Sequence, residues 1–260
     1  MKVCYYPGCT LRTKAKELDI AARNSAAALG VTLEELARWQ CCGGVFTTAR
    51  DEVATKLSAV RALAAAGEKG QPLVTVCSAC HNVLKQTNYA LQTDPDFAAR
   101  VHAYMADEPP YTGQTRVLHY LELLRDVVGF DKVREQVKRP LNGRRIAAYY
   151  GCLLLRPGRV MRLDDVENPT VMEDLIRALG GEPVLWPARG ECCGGYRVLE
   201  DGNAAAKQSA RVIESAKRHG AEEIVTACPL CKYNLEKHGC DIPVSYFTPL
   251  LAQALGLEEP

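Results

Sequence analysis

No apolar run in this chain approaches the roughly 18 residues that a membrane-spanning helix needs. The amino terminus, Met1-Lys2-Val3-Cys4-Tyr5-Tyr6, reads as a strand entering a loop and lacks the long apolar stretch and small-residue cleavage site of a signal peptide. The expected location is therefore the cytoplasm, with no direct membrane insertion. A formal net charge of +1 excludes strong general attraction to nucleic acid or acidic membrane. No Gly-x-Gly-x-x-Gly follows a predicted strand, so no dinucleotide site is encoded. The ferredoxin run Cys-x-x-Cys-x-x-Cys-x-x-x-Cys-Pro is missing as well, which excludes an ordinary cubane ferredoxin domain.

What is abundant is cysteine, 12 in 260 residues. A chain of this size, with 47% hydrophobic residues, has enough material for a core without disulfide staples. In a reducing compartment, cysteines at regular spacing more often hold metal. The spacing here is regular because the chain repeats itself. Adding 151 to positions 41, 42, 77 and 80 gives 192, 193, 228 and 231, and all eight are cysteine. Cys9 corresponds to Cys152 at an offset of 143, so the second half carries eight more residues before its cysteine pair. The flanks agree: Gln40-Cys41-Cys42-Gly43-Gly44 matches Glu191-Cys192-Cys193-Gly194-Gly195, and Leu73-Val74-Thr75-Val76-Cys77 matches Ile224-Val225-Thr226-Ala227-Cys228. Cys4 and Cys240 fall outside the repeat and read as free thiols.

Each half alternates β-rich and helical stretches. Strands are predicted over 2–6, 31–36 and 72–76 in the first half, and over 145–150, 183–186 and 223–227 in the second. Helices are predicted over 14–29, 51–66, 169–179 and 203–219, with glycines at 30 and 220 as stops. Val117-Leu118-His119-Tyr120 and Val244-Ser245-Tyr246-Phe247 each lead into a further helix. Alternation of this kind implies an α/β fold of two pseudo-symmetric repeats, each a small parallel sheet with flanking helices. The expected domains are residues 1–130 and 145–260, joined by a linker over 131–144. Residues 86–114 are an insertion of unassigned role. Functional groups in such folds gather after the carboxyl ends of strands, where all the repeated cysteines fall.

Five thiols per half fit zinc poorly, because a structural zinc takes four. Adjacent α-carbons are only about 3.8 Å apart, which makes Cys41 and Cys42 awkward as two corners around one ion. A thioredoxin-like site leaves the adjacent pair and the lone cysteine unexplained. An iron–sulfur cluster accepts thiolates on different irons. Paired glycines would let the backbone approach it, and amides of helices starting near Leu84 and Leu235 would stabilise thiolate charge.

The lone cysteine, Cys-Cys-Gly-Gly and Cys-x-x-Cys, duplicated in order, together with Tyr149-Tyr150-Gly151-Cys152-Leu153-Leu154-Leu155-Arg156-Pro157, resemble the cysteine-rich CCG domain family. The resemblance covers essentially the whole chain and is specifically to the B-type subunit of heterodisulfide reductase and its bacterial relatives. It implies two noncubane [4Fe–4S] clusters. The first would be held by Cys9, Cys41, Cys42, Cys77 and Cys80, the second by Cys152, Cys192, Cys193, Cys228 and Cys231. It further implies an oxidoreductase component that reduces a disulfide to two thiols. A ferredoxin-like iron–sulfur partner and a flavoprotein partner, the C-type and A-type subunits of such complexes, would supply electrons. Hydrogenase, formate dehydrogenase or pyridine-nucleotide modules would join in some assemblies. The alternative is a non-catalytic electron-transfer subunit of a quinone-linked succinate/fumarate or lactate/glycolate oxidoreductase. No proton donor is identified. His81 and Lys232 match in the repeat, and Arg12 and Arg156 follow the lone cysteines. The commoner role for such side chains is a solvent-facing charge or a hydrogen bond to a loop. His102, His119, His219 and His238 show no ligand spacing and read as core or surface residues.

Overall fold

A computed structural model describes residues 1–44, 53–239 and 241–257. The first half runs β1 (Lys2–Tyr5), α1 (Cys9–Thr13), α2 (Lys16–Ala28), β2 (Thr32–Glu35), α3 (Leu57–Glu68), β3 (Leu73–Thr75), α4 (Ser78–Thr93), α5 (Pro95–Tyr104), β4 (Val117–His119) and α6 (Tyr120–Glu122). A π-helical segment, Leu123–Val128, leads to α7 (Phe130–Glu135). The second half runs β5 (Arg145–Tyr149), α8 (Gly158–Met161), α9 (Val171–Ala178), β6 (Glu182–Val184), α10 (Gly202–Arg218), β7 (Glu223–Thr226), α11 (Pro229–Lys237), β8 (Val244–Tyr246) and α12 (Phe247–Ala254).

Both sheets are four-stranded and parallel, with orders β2-β1-β3-β4 and β6-β5-β7-β8. The expected fold class is what forms. Central strands are buried on both faces, as helix-covered parallel strands must be, and this is why β3 and β7 read as Leu-Val-Thr and Glu-Ile-Val-Thr with every residue buried. In each sheet the chain leaves the first strand toward one edge and returns to the other side for the third. That reversal between β1 and β3, and between β5 and β7, opens a crevice at their carboxyl ends. The loops that carry Cys9 and Cys77, and those that carry Cys152 and Cys228, start there.

Several boundaries differ from expectation. The helix expected over 14–29 is two helices, α1 and α2, because the chain turns at Lys14 and Ala15. The helix expected over 51–66 starts at Leu57 after a 3-10 turn at Ala54–Lys56, and residues 51 and 52 lie outside the described ones. The helices expected to start near Leu84 and Leu235 begin earlier, at Ser78 and Pro229, directly after the first cysteine of each Cys-x-x-Cys. Pro229 marks the start of α11, since proline at the first turn gives up only an amide that has no helical partner.

The insertion has structure of its own. It begins as the continuation of α4 to Thr93, where the shorter α11 stops at Lys237. The Asp94 carboxylate then accepts the Phe97 amide at 3.0 Å, and Pro95 opens α5. The Tyr111 hydroxyl donates to Asn88 Oδ1 at 2.6 Å and pins the returning loop to α4.

The halves interlock. α12 of the second half packs on α2 of the first, where the Thr248 hydroxyl donates to the Leu18 carbonyl at 2.8 Å. Reciprocally, α7 packs on α9, and Val133 joins Val171, Met172, Leu175 and Ile176 in a buried cluster that runs through both halves. Tyr120 and Phe247, which open the last helix of each half, meet with ring centroids 6.1 Å apart. Ser78, at the start of α4, donates to the Ala227 carbonyl through its amide at 3.1 Å and its hydroxyl at 3.0 Å. The two Cys-x-x-Cys turns are thereby held against each other. No helix among the described residues is long and apolar enough to cross a membrane.

Candidate metal centres

The crevice collects five thiols in each half, and in the same order. In the first, Cys9 Sγ lies 3.4 Å from Cys41 Sγ, Cys41 adjoins Cys42, Cys42 Sγ lies 3.6 Å from Cys80 Sγ, and Cys80 adjoins Cys77. In the second, Cys152 adjoins Cys192, Cys192 adjoins Cys193, Cys193 Sγ lies 3.6 Å from Cys231 Sγ, and Cys231 adjoins Cys228. Exposure follows the order too. Cys42, Cys77, Cys80, Cys193, Cys228 and Cys231 are buried, while Cys9, Cys41, Cys152 and Cys192 keep contact with solvent. Each quintet thus has a buried end and an open edge. Among the described residues, no group of three or more His, Cys, Asp or Glu is arranged to hold a single metal ion.

Backbone geometry makes room for these sulfurs. Gly8 and Gly151, each just before the lone cysteine, have φ of +80° and +63°. A Cβ on Gly8 would lie 2.7 Å from Cys80 Sγ, and one on Gly151 would lie 3.1 Å from Cys231 Sγ. Of the paired glycines, Gly43 and Gly194 are required by positive φ, +77° and +82°, whereas a Cβ on Gly44 or Gly195 would face Cys42 Sγ or Cys193 Sγ at 3.4 and 3.5 Å. A set of five soft donors, with space beside it that any side chain would fill, fits a thiolate-bound cluster of several metals.

Thiolate charge is provided for. Hydrogen bonds from Cys41 and then Cys80, with the Gly44 amide, outweigh burial and bring Cys42 down to about 3. In the second half the favoured thiolate is Cys192, brought down to about 2 by hydrogen bonds from Cys152 and Cys193 and by the Gly194 and Gly195 amides. Cys228 is lowered chiefly by a hydrogen bond from Cys231, helped by the Leu230 and Cys231 amides at the start of α11.

A second layer holds the loops. The Tyr6 hydroxyl donates to the Gln40 carbonyl at 2.5 Å, and the Tyr149 hydroxyl donates to the Glu191 carbonyl at 2.8 Å. The pair obeys the same offsets as the cysteines, 143 for the tyrosines and 151 for their acceptors. That shared offset is the signal in the sequence that could reveal the tethers. Ser58 donates to the Cys41 carbonyl at 2.7 Å and Ser209 to the Cys193 carbonyl at 2.9 Å.

The side chains beside the cysteines divide. Arg12 is spent on Glu35, and Arg156 on Glu167 at 2.9 Å and the Gly190 carbonyl at 3.0 Å. Arg156 nevertheless borders a cavity of about 440 Å³ whose lining includes Cys152, Cys192, Gln208 and Arg211. Lys232 pairs with Glu236 at 2.9 Å and Glu17 at 3.4 Å and lies over the Tyr246 ring. His81 corrects the expectation of a solvent-facing or loop-bonding side chain, because it is fully buried. Its Nε2 lies 3.0 Å from Glu122 Oε2, within ion-pair range but off the line of a hydrogen bond. Lys85 Nζ reaches Glu122 Oε1 at 3.0 Å. His119, also fully buried, stacks edge-on against His81 at 5.3 Å and bonds the Val76 carbonyl through Nε2 at 3.0 Å. Of the other histidines, His102 bonds the Tyr111 carbonyl at 3.0 Å and His219 the Ser215 carbonyl at 2.7 Å. Cys4 is buried in β1 and donates to Gln71 Oε1 at 3.3 Å, while Cys240 lies outside the described residues.

An α/β chain of two parallel sheets, each carrying a lone cysteine, a cysteine pair with glycines and a Cys-x-x-Cys, defines a duplicated cysteine-rich protein. The Cysteine-rich domain family, CCG, matches residues 3–85 and 146–236, and the chain belongs to that family. It is 30% identical over 97% of its length to the 8-methylmenaquinol:fumarate reductase membrane anchor subunit of Wolinella succinogenes, covering 92% of that protein. It is 28% identical to the B-type subunit of the ferredoxin/F(420)H(2)-dependent CoB-CoM heterodisulfide reductase of Methanosarcina acetivorans, over 98% of this chain and 89% of that one. A protein of Archaeoglobus profundus named for its likeness to the same heterodisulfide reductase subunit is also 28% identical, over 99% and 92%. The fold recurs, at 10% identity and a TM-score of 0.73, in a hypothetical protein from Helicobacter pylori, of which this chain spans 49%. The expected resemblance to the B-type subunit of heterodisulfide reductase holds.

Gly8→Ala places a methyl against Cys80 Sγ and is expected to abolish the first centre alone, seen as a loss of about half the bound metal. Gly70→Ala, at φ +62° with open space around it, should cost only the backbone strain of about 1–2 kcal/mol and leave metal content intact. A second expectation concerns acid. Burial first, and then His81, brings His119 from 6.5 down to about 3. His81 and Lys85 outweigh the opposing burial and bring Glu122 from 4.5 down to about 2. Both groups bind fewer protons folded than unfolded, so their contribution is complete above the unfolded value and lost as pH falls toward the folded one. Unfolding at pH 7 to 5 should show stability dropping with acid, by at most about 1.4 kcal/mol per pH unit for one group. His119→Gln should flatten that dependence.

Proposed function

We propose that this chain is the thiol- and disulfide-handling iron–sulfur subunit of a multi-subunit reductase, with one noncubane [4Fe–4S] centre in each half. The observation that carries the reading is the pair of five-thiol chains, identical in order, each with its outer sulfurs open to solvent. The names of the Methanosarcina and Archaeoglobus relatives support it. The ligands would be Cys9, Cys41, Cys42, Cys77 and Cys80 in the first half and Cys152, Cys192, Cys193, Cys228 and Cys231 in the second. Bound there, each cluster would supply one-electron transfer beside a thiolate-rich edge.

The overall change is RS–SR′ + 2 e⁻ + 2 H⁺ → RSH + R′SH. The chain's own part is to hold two one-electron centres at facing crevices, joined through Ser78 and Ala227, so that two electrons reach one disulfide. The cavity at Cys152 and Cys192 gives a small sulfur compound access to the second centre. The buried ends, backed by Tyr6 and Tyr149, exclude water from the rest. Electrons would come from a ferredoxin-like protein and a flavoprotein, and any membrane contact would come through a partner. Residues 1–130 and 145–260 would act as the two cluster-binding units.

The Wolinella relative favours a second reading, in which both centres only pass electrons within a quinone-linked enzyme. The test is made on anaerobically purified protein. About eight irons are expected, and about half of them should be lost in Cys192→Ala. Adding thiol or disulfide to the oxidised protein should produce or change a paramagnetic species. No response across a panel of biological thiols and disulfides, with iron intact, would establish the relay reading. Zinc in place of iron would end both.

A further inference from the structure

Tyr196 is not among the ten cysteines or their tethers, yet it stands where the two centres face each other. It follows Cys192-Cys193-Gly194-Gly195 directly and opens a short 3-10 helix, Tyr196–Leu199. Its hydroxyl crosses to the other half and donates to the carbonyl of Gly44, the last residue of Cys41-Cys42-Gly43-Gly44, at 2.7 Å. Tyr6 and Tyr149, by contrast, each brace a loop of their own half. The residue matching Tyr196 at the offset of 151 is Val45, a residue type with no polar side-chain group. The phenol therefore breaks the symmetry of the repeat at its centre.

Its surroundings include sulfurs of both quintets. Burial first, and then the charges of Cys228, Cys42, Cys152 and Cys77, push the phenol above its ordinary value. It keeps its proton at any physiological pH and is a standing hydrogen-bond donor. The Gly44 carbonyl is a neutral acceptor beside this thiolate-rich space. A charged sulfur there would accept the same hydrogen bond more strongly, since bonds to ionised acceptors are roughly twice as strong as neutral ones.

We propose that the Tyr196 hydroxyl turns from the Gly44 carbonyl to the sulfur of a bound small thiolate, and holds one half of the substrate between the two Cys-Cys-Gly-Gly loops. This rests on the thiol- and disulfide-handling function proposed above. It names Tyr196 as a substrate-binding donor and implies that the two halves of a disulfide are received unequally.

The experiment compares the full-length, anaerobically prepared wild type with Tyr196→Phe, using 2-mercaptoethanol as the probe thiol. Iron content is measured, and the thiol-dependent paramagnetic species is titrated. Unchanged iron with an apparent Kd raised about tenfold in Tyr196→Phe is the expected result. Unchanged iron and unchanged Kd would overturn the role of Tyr196 while leaving the disulfide function standing. Reduced iron with an unchanged Kd at the remaining centres would also overturn it, making the residue a brace. A wild type that gives no thiol-dependent species would overturn both. A fluorinated tyrosine at position 196, a stronger donor of nearly the same shape, should tighten binding, and a purely structural residue would show no such change.

Discussion

Three loops from three different strands must deliver their thiols to one place, twice, and the rest of the molecule is arranged around that demand. The parallel order of each sheet meets most of it, because the first and third strands are neighbours and their carboxyl ends define one crevice. The final approach is closed by Gly8 and Gly151. Only a residue without a Cβ can hold the required positive φ and still leave the inner Cys-x-x-Cys sulfur its place. Everything outward from there is support. The two tyrosine tethers fix the cysteine-pair loops, serines on α3 and α10 hold the carbonyls of the pairs, and amides at helix starts and beside the glycines receive the thiolate charge.

The halves are twins in what touches the sulfurs and differ in what lies behind them. Behind the first quintet is a buried group of His81, Lys85, His119 and Glu122. Behind the second, Lys232 is shared between two carboxylates nearer the surface. Asn82 and Lys85 of α4 also reach the second half's 153–162 loop, through the carbonyls of Leu153, Arg156 and Met161. The first half is therefore both a binding unit and the scaffold on which the lone-cysteine loop of the second is set. Together with the exchanged helices α7 and α12, this ties the geometry of each centre to the integrity of the whole chain.

The parts of this arrangement that are legible in the sequence are those carried by rare residues at fixed offsets. Ten cysteines and four glycines announce the duplication, and the β-rich runs before Cys77 and Cys228 announce the strands. The ends of helices are less legible. Ser78 and Pro229 start helices that pattern alone places a turn or more later, because the apolar stripe only becomes periodic after the first turn. His81 escapes for a different reason. Its burial depends on Glu122 and Lys85 arriving from other positions, and a charged or polar side chain in isolation looks like surface. Tyr196 carries no signal at all, since its meaning comes from a carbonyl 152 residues away. The insertion over 86–114 becomes readable as α5 and its pinned return only when Asp94, Pro95 and Tyr111 are seen with their partners.

The central claim is that each quintet surrounds one multi-iron centre. Anomalous diffraction at the iron edge, from crystals grown without oxygen, tests it most directly. Two separate groups of iron are predicted, one bonded by Cys9, Cys41, Cys42, Cys77 and Cys80 and the other by Cys152, Cys192, Cys193, Cys228 and Cys231. A single metal ion in each crevice, or iron bound away from these ten sulfurs, would contradict the account.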